Sequence, residues 1–147
     1  ASCLVGSEMC IRDSLKTFQL VNNYLDPDGI FIFDFNTIYK YKEVMGDTVI
    51  AENREDCSFI WENYYDVEEE INEYDLTIFV QTQEDLFQRF TETHLQRGYT
   101  LEQMQEILQK AGLVFLKAID VDTQGEVTEQ TERICIIARE HGKRKEA

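Results

Sequence analysis

The spacing of apolar positions changes more than once along the chain, and each change marks a different predicted element. The first apolar positions recur every three or four residues, which predicts an amphipathic helix over 15–25. They are Leu15, Phe18, Val21 and Leu25. The next run, IFIFDF at 30–35, is apolar on both faces as far as Asp34. This continuous pattern is typical of a strand buried between helices in a parallel sheet.

The links around this strand carry residue types that favour turns and helix ends. DPDG at 26–29 predicts a turn between the helix and the strand. After the strand, Asn36 is a candidate N-cap for a short helix over 37–45, and Gly46 is placed to end it. The first part of the chain therefore predicts a helix, a strand and a second, short helix.

The middle of the chain has the two-residue period of half-buried strands. Four segments are predicted as strands, at 48–53, 57–66, 71–81 and 86–96. In the second segment Phe59, Trp61 and Asn63 share one face, and the residues between them share the other. Short polar joins at 67–70 and 82–85 favour hairpins. Together these features predict an antiparallel meander with one apolar face and one wetted face.

The last part of the chain returns to helical spacing. Thr100 and Gln103 form a capping box of the T-x-x-Q type, which predicts the start of a helix. Gly112 occupies the place of a left-handed C-terminal cap. Two further strands are predicted at 114–121 and 133–139. The buried stripe of the helix is predicted to contain Leu101, Met104, Ile107, Leu108 and Ala111.

The composition is that of a folded domain, and the net charge argues against some classes of binding partner. The chain has 147 residues, 43% of them hydrophobic, and a net charge of −15 from 14 basic and 29 acidic residues. Such an excess of carboxylates argues against nucleic acid and anionic membrane surfaces, since both attract concentrated Lys and Arg. The basic residues cluster only in the tail at 141–147, and no apolar run approaches the roughly 20 residues of a membrane span. We therefore expect a soluble cytoplasmic protein.

Several enzyme motifs are missing from the sequence. It contains no GxGxxG or GxxxxGK[ST] loop, no HExxH and no GxSxG. Four cysteines without a CxxC pair, and two histidines, predict neither a disulfide framework nor a metal site. Cys57 and Cys135 are predicted as small buried hydrophobic residues in a reducing compartment.

Two of the candidate site segments lie in the first strand and the meander. DFNTIYKYK at 34–42 lies at the carboxyl end of the buried strand, where ligands bind in open α/β sheets. Asp34, Asn36 and Tyr39 are therefore candidate ligand contacts. The alternative is that Asn36 caps the next helix and Tyr39 packs. Trp61 in WENYY either lines a pocket, joins two copies of the chain, or packs in the core, the last being favoured.

The third candidate segment is ETHLQRGY at 92–99. It places Glu92, His94, Gln96, Arg97 and Tyr99 at a strand end just before a capped helix. A lone histidine is more often structural than catalytic, but polar neighbours surround this one. The segment also returns to the main sheet, so the alternatives for these residues are a structural role and a ligand-facing one.

These segments together resemble the class I S-adenosylmethionine-dependent methyltransferases. Residues 24–41 are similar to the L-x-P-G-G-x-F-x-F-D-x-N-T segment at the fifth strand of that family, with Asp28 in place of the first Gly. Residues 92–99 match the E-x-H-x-Q-R-x-Y stretch of a bacterial subgroup that carries a small antiparallel sheet after the fifth strand. Residues 111–113 match its AGF turn, with Leu113 in place of Phe. The resemblance covers about residues 15–140.

The resemblance implies the C-terminal half of a Rossmann-like α/β methyltransferase sheet plus an inserted antiparallel β meander. The partial core is expected at 15–46 and 98–140, and the substrate-side lid at 47–97. The positions that hold the cofactor in the family have no counterpart in this sequence. By family position, the residues expected to face the substrate are Asn36, Tyr39, Trp61, His94, Arg97 and Tyr99. For an acceptor that must first lose a proton, His94 is the candidate general base.

The implied reaction is in-line transfer of a methyl group from S-adenosylmethionine to a small-molecule acceptor, without a metal. Because the cofactor-binding half is missing, the chain alone is expected to be inactive. The acidic, aromatic lid suits a small molecule better than nucleic acid.

Two further expectations concern an alternative function and the start of the chain. The alternative to a methyltransferase is an autonomous α+β module that binds a ligand or forms a homodimer through the meander. Residues 1–14, ASCLVGSEMCIRDS, have neither a helical nor a strand period and resemble a translated sequencing adapter. We expect them to be a non-native leader, with the native sequence starting near Leu15.

Overall fold

The computed structural model describes residues 11–143, which divide into two units. The core unit contains residues 11–40 and 97–143, and the meander unit contains residues 41–96. In chain order the elements are α1 (Ile11–Tyr24), β1 (Ile30–Asn36), a π-helix (Lys40–Met45), β2 (Val49–Asn53), β3 (Cys57–Asp66), β4 (Ile71–Gln83), β5 (Leu86–Arg97), α2 (Leu101–Lys110), β6 (Leu113–Asp120) and β7 (Arg133–Glu140). Among the described residues, no helix is long and apolar enough to cross a membrane.

The core unit is built on a three-stranded sheet in the order β1–β7–β6. β7 is antiparallel to both neighbours, so β1 and β6 run in the same direction on either side of it. The sequence predicted a parallel neighbour for β1, whereas its partner within residues 11–143 is the antiparallel β7. The strands β1 and β6 therefore end at the same edge of the sheet.

One face of this sheet holds the apolar core. Phe31 and Phe33 of β1 pack on Phe18 of α1, with ring centroids 5.7 and 4.8 Å from that ring. Alternate β1 residues face the other way, and Ile30 and Ile32 are 51% and 61% exposed. β1 is thus apolar on both faces but buried on only one, because α1 and α2 join the same core cluster.

Helix α1 begins at Ile11, four residues before the predicted start, and ends at Tyr24. Ser14 belongs to the packed structure, because it is fully buried and its hydroxyl lies 3.2 Å from that of Tyr99. At the other end, the Lys143 ammonium donates to the backbone carbonyls of Asn22 and Asn23 at 2.5 and 3.0 Å. Residues 1–10 of the predicted leader lie outside the described residues, and its origin stays a prediction.

Helix α2 has the predicted ends. The Thr100 hydroxyl accepts the Gln103 N–H and the Gln103 side chain accepts the Thr100 N–H, which confirms the capping box. Gly112 has φ +82°, the left-handed conformation expected after the last turn. Of the predicted stripe, Leu101 is half-buried, and the fully buried members are Met104, Ile107, Leu108 and Ala111.

The meander unit contains a four-stranded antiparallel sheet in the order β2–β3–β4–β5, as the alternating pattern predicted. In β3 the predicted division of faces is confirmed: Ile60, Glu62 and Tyr64 are exposed, while the residues between them are buried or half-buried. Cys57 and Cys135, predicted as buried, are both half-buried free thiols. Cys57 is the first residue of β3 and Cys135 lies on the half-buried face of β7, which explains the difference.

Candidate functional site

A cleft of about 540 Å³ opens in the core unit at the shared edge where β1 and β6 end. Three chain segments form its walls: the link after β1, the start of α2, and the loop between β6 and β7. The lining residues are Thr37, Ile38, Tyr39, Tyr99, Thr100, Leu101, Glu102, Val127, Thr128, Glu129, Thr131 and Ile134. The lining combines aromatic and aliphatic side chains with a few hydroxyl and carboxylate groups. Such a lining is suited to binding a small polar organic molecule.

Thr37 ties two of these segments together. Its hydroxyl donates to the Thr131 carbonyl at 2.7 Å and accepts the Lys40 N–H at 3.2 Å. Thr37 therefore has the capping role predicted for Asn36. Lys40 comes three residues after Thr37, which is the spacing of an N-cap hydrogen bond. The Asn36 side chain instead accepts a hydrogen bond from the Lys40 ammonium at 3.1 Å.

The loop between β6 and β7 is organised by the carboxylate of Asp120. One carboxylate oxygen accepts the N–H groups of Asp122 and Thr123, and the other accepts the Thr131 hydroxyl at 2.7 Å. These hydrogen bonds, led by the one from the Thr123 backbone, lower the pKa of Asp120 below its ordinary value. Through Thr131, which also meets Thr37, this carboxylate fixes one wall of the cleft.

Gly98 and Tyr99 bring the chain alongside the end of β1. Tyr99 forms an isolated parallel bridge with Thr37, and its ring packs edge-on against Phe35. A Cβ on Gly98 would lie 2.8 Å from the backbone of Ile38, so this close approach requires glycine. Tyr99 lines the cleft but is 98% buried, with its hydroxyl beside Ser14, so packing is the larger part of its role.

In the meander unit three rings form a stacked column. Trp61 and Tyr74 lie 4.1 Å apart between ring centroids, and Tyr74 and His94 lie 4.8 Å apart, with interplanar angles of 22° and 20°. His94 Nε2 is 3.1 Å from a carboxylate oxygen of Glu92. Burial, with the nearby Glu92 carboxylate as the second cause, raises the pKa of Tyr74. The column therefore places the Trp61 and Tyr74 rings, the His94 imidazole and the Glu92 carboxylate next to one another.

The structure thus places four of the six sequence-predicted site residues in the cleft or the column, and two outside both. Tyr39 and Tyr99 line the cleft of the core unit, and Trp61 and His94 belong to the column of the meander unit. Asn36 lies next to the cleft, and its side chain accepts a hydrogen bond from Lys40. Arg97 is half-buried at the end of β5. Within residues 11–143 no group of three or more His, Cys, Asp or Glu side chains is arranged to hold a metal.

Two kinds of site residue escaped the sequence analysis. Tyr74 is one of several aromatic residues of the meander, and its position between Trp61 and His94 depends on strand register. Thr128 and Thr131 lie in a polar loop without periodicity, where no local pattern separates a lining residue from an ordinary loop residue. The period-2 alternation of β4 could have placed Tyr74 on the Trp61 face once the hairpin was assigned.

Comparison with known proteins relates the chain to methyltransferases. It is 33% identical over 128 residues to "Putative methyltransferase YqeM" of Bacillus subtilis (strain 168), a match over 87% of this chain and 51% of the relative. The chain spans about half the length of the curated relatives it matches. No family model matches it.

Solved structures show the same fold. An S-adenosylmethionine-dependent methyltransferase from Clostridium acetobutylicum ATCC 824 matches with a TM-score of 0.81 and 28% identity, over 91% of this chain and 53% of that one. An amino pentose methyltransferase from Micromonospora echinaspora, solved with S-adenosylmethionine bound, matches with a TM-score of 0.61 and 11% identity, over 91% and 53% of the two chains. The chain therefore has the fold of about half of such a methyltransferase.

Proposed function

We propose that the chain is the C-terminal half of an S-adenosylmethionine-dependent methyltransferase, whose parent protein methylates a small-molecule acceptor. The observation that carries this proposal is the topology: an antiparallel β7 between β1 and β6, with an antiparallel four-stranded sheet inserted after β1. The Clostridium acetobutylicum methyltransferase shares this arrangement over 91% of the chain. On this proposal the cofactor is S-adenosylmethionine, held by the other half of the parent protein.

The described residues then supply the acceptor side of the reaction. The cleft at the ends of β1 and β6 has the volume and mixed lining of a small-molecule site. In methyl transfer to a bound acceptor, the protein contributes mainly by holding the reacting atoms in line. Tyr39 and Tyr99 are proposed as acceptor contacts in the cleft, Asn36 and Arg97 as polar contacts beside it, and Trp61 as an aromatic contact in the meander.

His94 is proposed as the general base for acceptors that must lose a proton. Its imidazole keeps 15% of its side-chain surface exposed and has a carboxylate partner, Glu92. A histidine held by a carboxylate is a common arrangement for proton transfer near neutral pH. We also propose that the enzyme is cytoplasmic, a compartment in which thiols such as those of Cys57 and Cys135 stay reduced.

The experiment is a transfer assay with a fusion of the first half of the Bacillus subtilis relative to residues 11–147 of this chain. The fusion is incubated with methyl-labelled S-adenosylmethionine and a bacterial metabolite extract, and label is measured in the fraction below about 1 kDa. We expect labelled product from the fusion and none from the 147-residue chain. A folded fusion that binds the cofactor but labels only protein or nucleic acid would refute the small-molecule proposal.

We also propose that two copies of the protein associate through the exposed face of the meander sheet. This face carries Ile60 and Tyr64 from β3, together with Val49, which pairs with Glu62. Val49 and Tyr64 are 68% and 54% exposed. Together with Ile60 they form a larger apolar surface than single scattered residues provide. For the fusion, which contains the other half of the parent protein, light scattering should show a dimer that Ile60→Lys converts to a monomer and Glu62→Gln does not. A fusion dimer unaffected by Ile60→Lys excludes this face.

A further inference from the structure

We infer that Glu92 is a positioning residue for His94: it accepts the Nε2–H proton of the imidazole and so leaves Nδ1 as the nitrogen that takes a proton from the acceptor. The inference rests on the proposed function and names a residue and an atom that the proposal leaves open. Glu92 acts through His94 and contacts no reacting atom.

The geometry of the pair supports this assignment. Glu92 Oε2 lies 3.1 Å from His94 Nε2, within hydrogen-bond distance. An ionised carboxylate only accepts hydrogen bonds, so a neutral imidazole beside it must carry its proton on Nε2. Among the described residues His94 has no hydrogen-bond partner at Nδ1, and the side chain is 15% exposed. Nδ1 is therefore the nitrogen left with a free lone pair.

The ring plane is fixed by stacking, independently of the carboxylate. Tyr74 lies against His94 at 4.8 Å and is backed by Trp61 at 4.1 Å, with both interplanar angles near 20°. Offset stacking restricts rotation of the imidazole out of this plane. The Trp61 indole N–H is in turn 3.4 Å from the buried Asn63 side-chain oxygen, which anchors the far end of the column. The column and Glu92 together leave one orientation for the ring.

Within residues 11–143, two titratable side chains contact the imidazole: Glu92 on β5 through its carboxylate and Tyr74 on β4 through its ring. Glu62 and Glu73 are exposed on the opposite face of the sheet. Glu73 is placed there by its pairing with the exposed Tyr64 in the β3–β4 register. The Asp75 carboxylate is occupied by the Thr93 hydroxyl on that same face.

The proton balance of the step is simple. The acceptor N–H or O–H bond breaks, its proton goes to Nδ1 of His94, and the acceptor lone pair forms the new bond to the methyl carbon. The methyl–sulfur bond breaks at the same time, and its electron pair stays on sulfur, which becomes a neutral thioether. The imidazolium that results carries its positive charge beside the Glu92 carboxylate.

The test is ¹⁵N NMR of the imidazoles in the 147-residue chain at pH 8, where an ordinary imidazole is neutral. The chain has two histidines, His94 and the exposed His141, so His94→Asn assigns both sets of signals. We expect His94 to show the Nε2–H form and His141 to show the averaged shifts of a free imidazole. Glu92→Ala should move the His94 nitrogen shifts towards those of His141, and Glu92→Gln should move them in the same direction.

The matched control is Glu73→Ala, an exposed carboxylate on the neighbouring strand that faces away from the column. It should leave the His94 shifts unchanged. A His94 ring in the Nδ1–H form, or one whose shifts do not respond to either Glu92 variant, would overturn the inference. This measurement needs neither cofactor nor acceptor, so it can fail while methyl transfer succeeds, and the transfer assay can fail while the tautomer is as stated.

Discussion

The side-chain amides of Asn63 and Asn72 form a reciprocal pair inside the meander unit. Each amide donates to the carbonyl oxygen of the other, at 2.8 and 2.9 Å, and the Asn63 amide also donates to the Gly46 carbonyl at 2.6 Å. Asn72 is fully buried and Asn63 is 6% exposed. Buried amides tolerate no loss of a partner, so this pair specifies the β3–β4 register from within the sheet.

Asn72→Ala should therefore destabilise the protein. The substitution removes both hydrogen bonds between the buried Asn63 and Asn72 side chains, a change that costs about 1–3 kcal/mol of unfolding free energy. Urea denaturation followed by tryptophan fluorescence reports on the unit directly, because Trp61, the only tryptophan, lies on β3. Glu73→Ala, at the next position but exposed, is the control and should stay within about 0.5 kcal/mol. Equal stability of the two variants would show that the amide pair contributes nothing.

Gly98→Ala should disturb the cleft. The new methyl group would lie 2.8 Å from the Ile38 backbone and 2.9 Å from the Thr37 carbonyl carbon, so the two segments must separate. We expect a loss of about 1–3 kcal/mol in unfolding free energy, typical of overpacking against backbone. Gly125→Ala is the matched control, since its Cβ meets only the Thr123 hydroxyl at 3.4 Å. Thermal melts of the two variants that coincide would contradict the close approach.

Asp120 should make stability depend on pH at the acid end. Its folded pKa is lowered by hydrogen bonds, so its contribution is present above the ordinary Asp pKa and is lost as pH falls through the folded value. Asp120→Asn should therefore be less stable than the unaltered chain at pH 7, and the difference should shrink below about pH 4. Chemical denaturation at both pH values measures this change. An identical difference at pH 7 and pH 3 would mean that the Asp120 charge has no part in fixing the loop.

The uncovered face of β1 should make the isolated chain associate. Ile30 and Ile32 are exposed there, and β1 forms an outer strand of its sheet in the described residues. Exposed apolar surface beside an unpaired strand edge promotes open-ended association. Analytical ultracentrifugation over a concentration series should show species larger than a dimer, reduced by Ile32→Lys but not by Thr17→Lys on the exposed side of α1. A chain that stays monomeric or dimeric at all concentrations would contradict this expectation.

Sequence predicted best where local chemistry decides the structure. The capping box of Thr100 and Gln103 is a contact over three residues, and the alternation in β3 follows from the pleat alone. These features need no information about distant parts of the chain. The α2 helix and the meander strands were therefore predicted close to their observed bounds.

Prediction was weaker where distant residues decide. Asn36 and Thr37 are both good capping residues, and Thr37 takes the role because its hydroxyl also reaches the Thr131 carbonyl, 94 positions away. Tyr74 enters the column only through its pairing with Asn63 across β3 and β4. The roles of Asn36, Tyr39, Trp61, His94, Arg97 and Tyr99 in binding or catalysis remain predictions.

The most direct test of the account is calorimetric titration with S-adenosylmethionine of two proteins, the 147-residue chain and its fusion to the first half of the Bacillus subtilis relative. We predict saturable binding by the fusion and no binding by the chain alone, because the cofactor is proposed to bind in the other half. A fusion that folds cooperatively but gives no binding heat, or binding by the chain alone, would contradict the claim that this chain is the acceptor-side half of a methyltransferase.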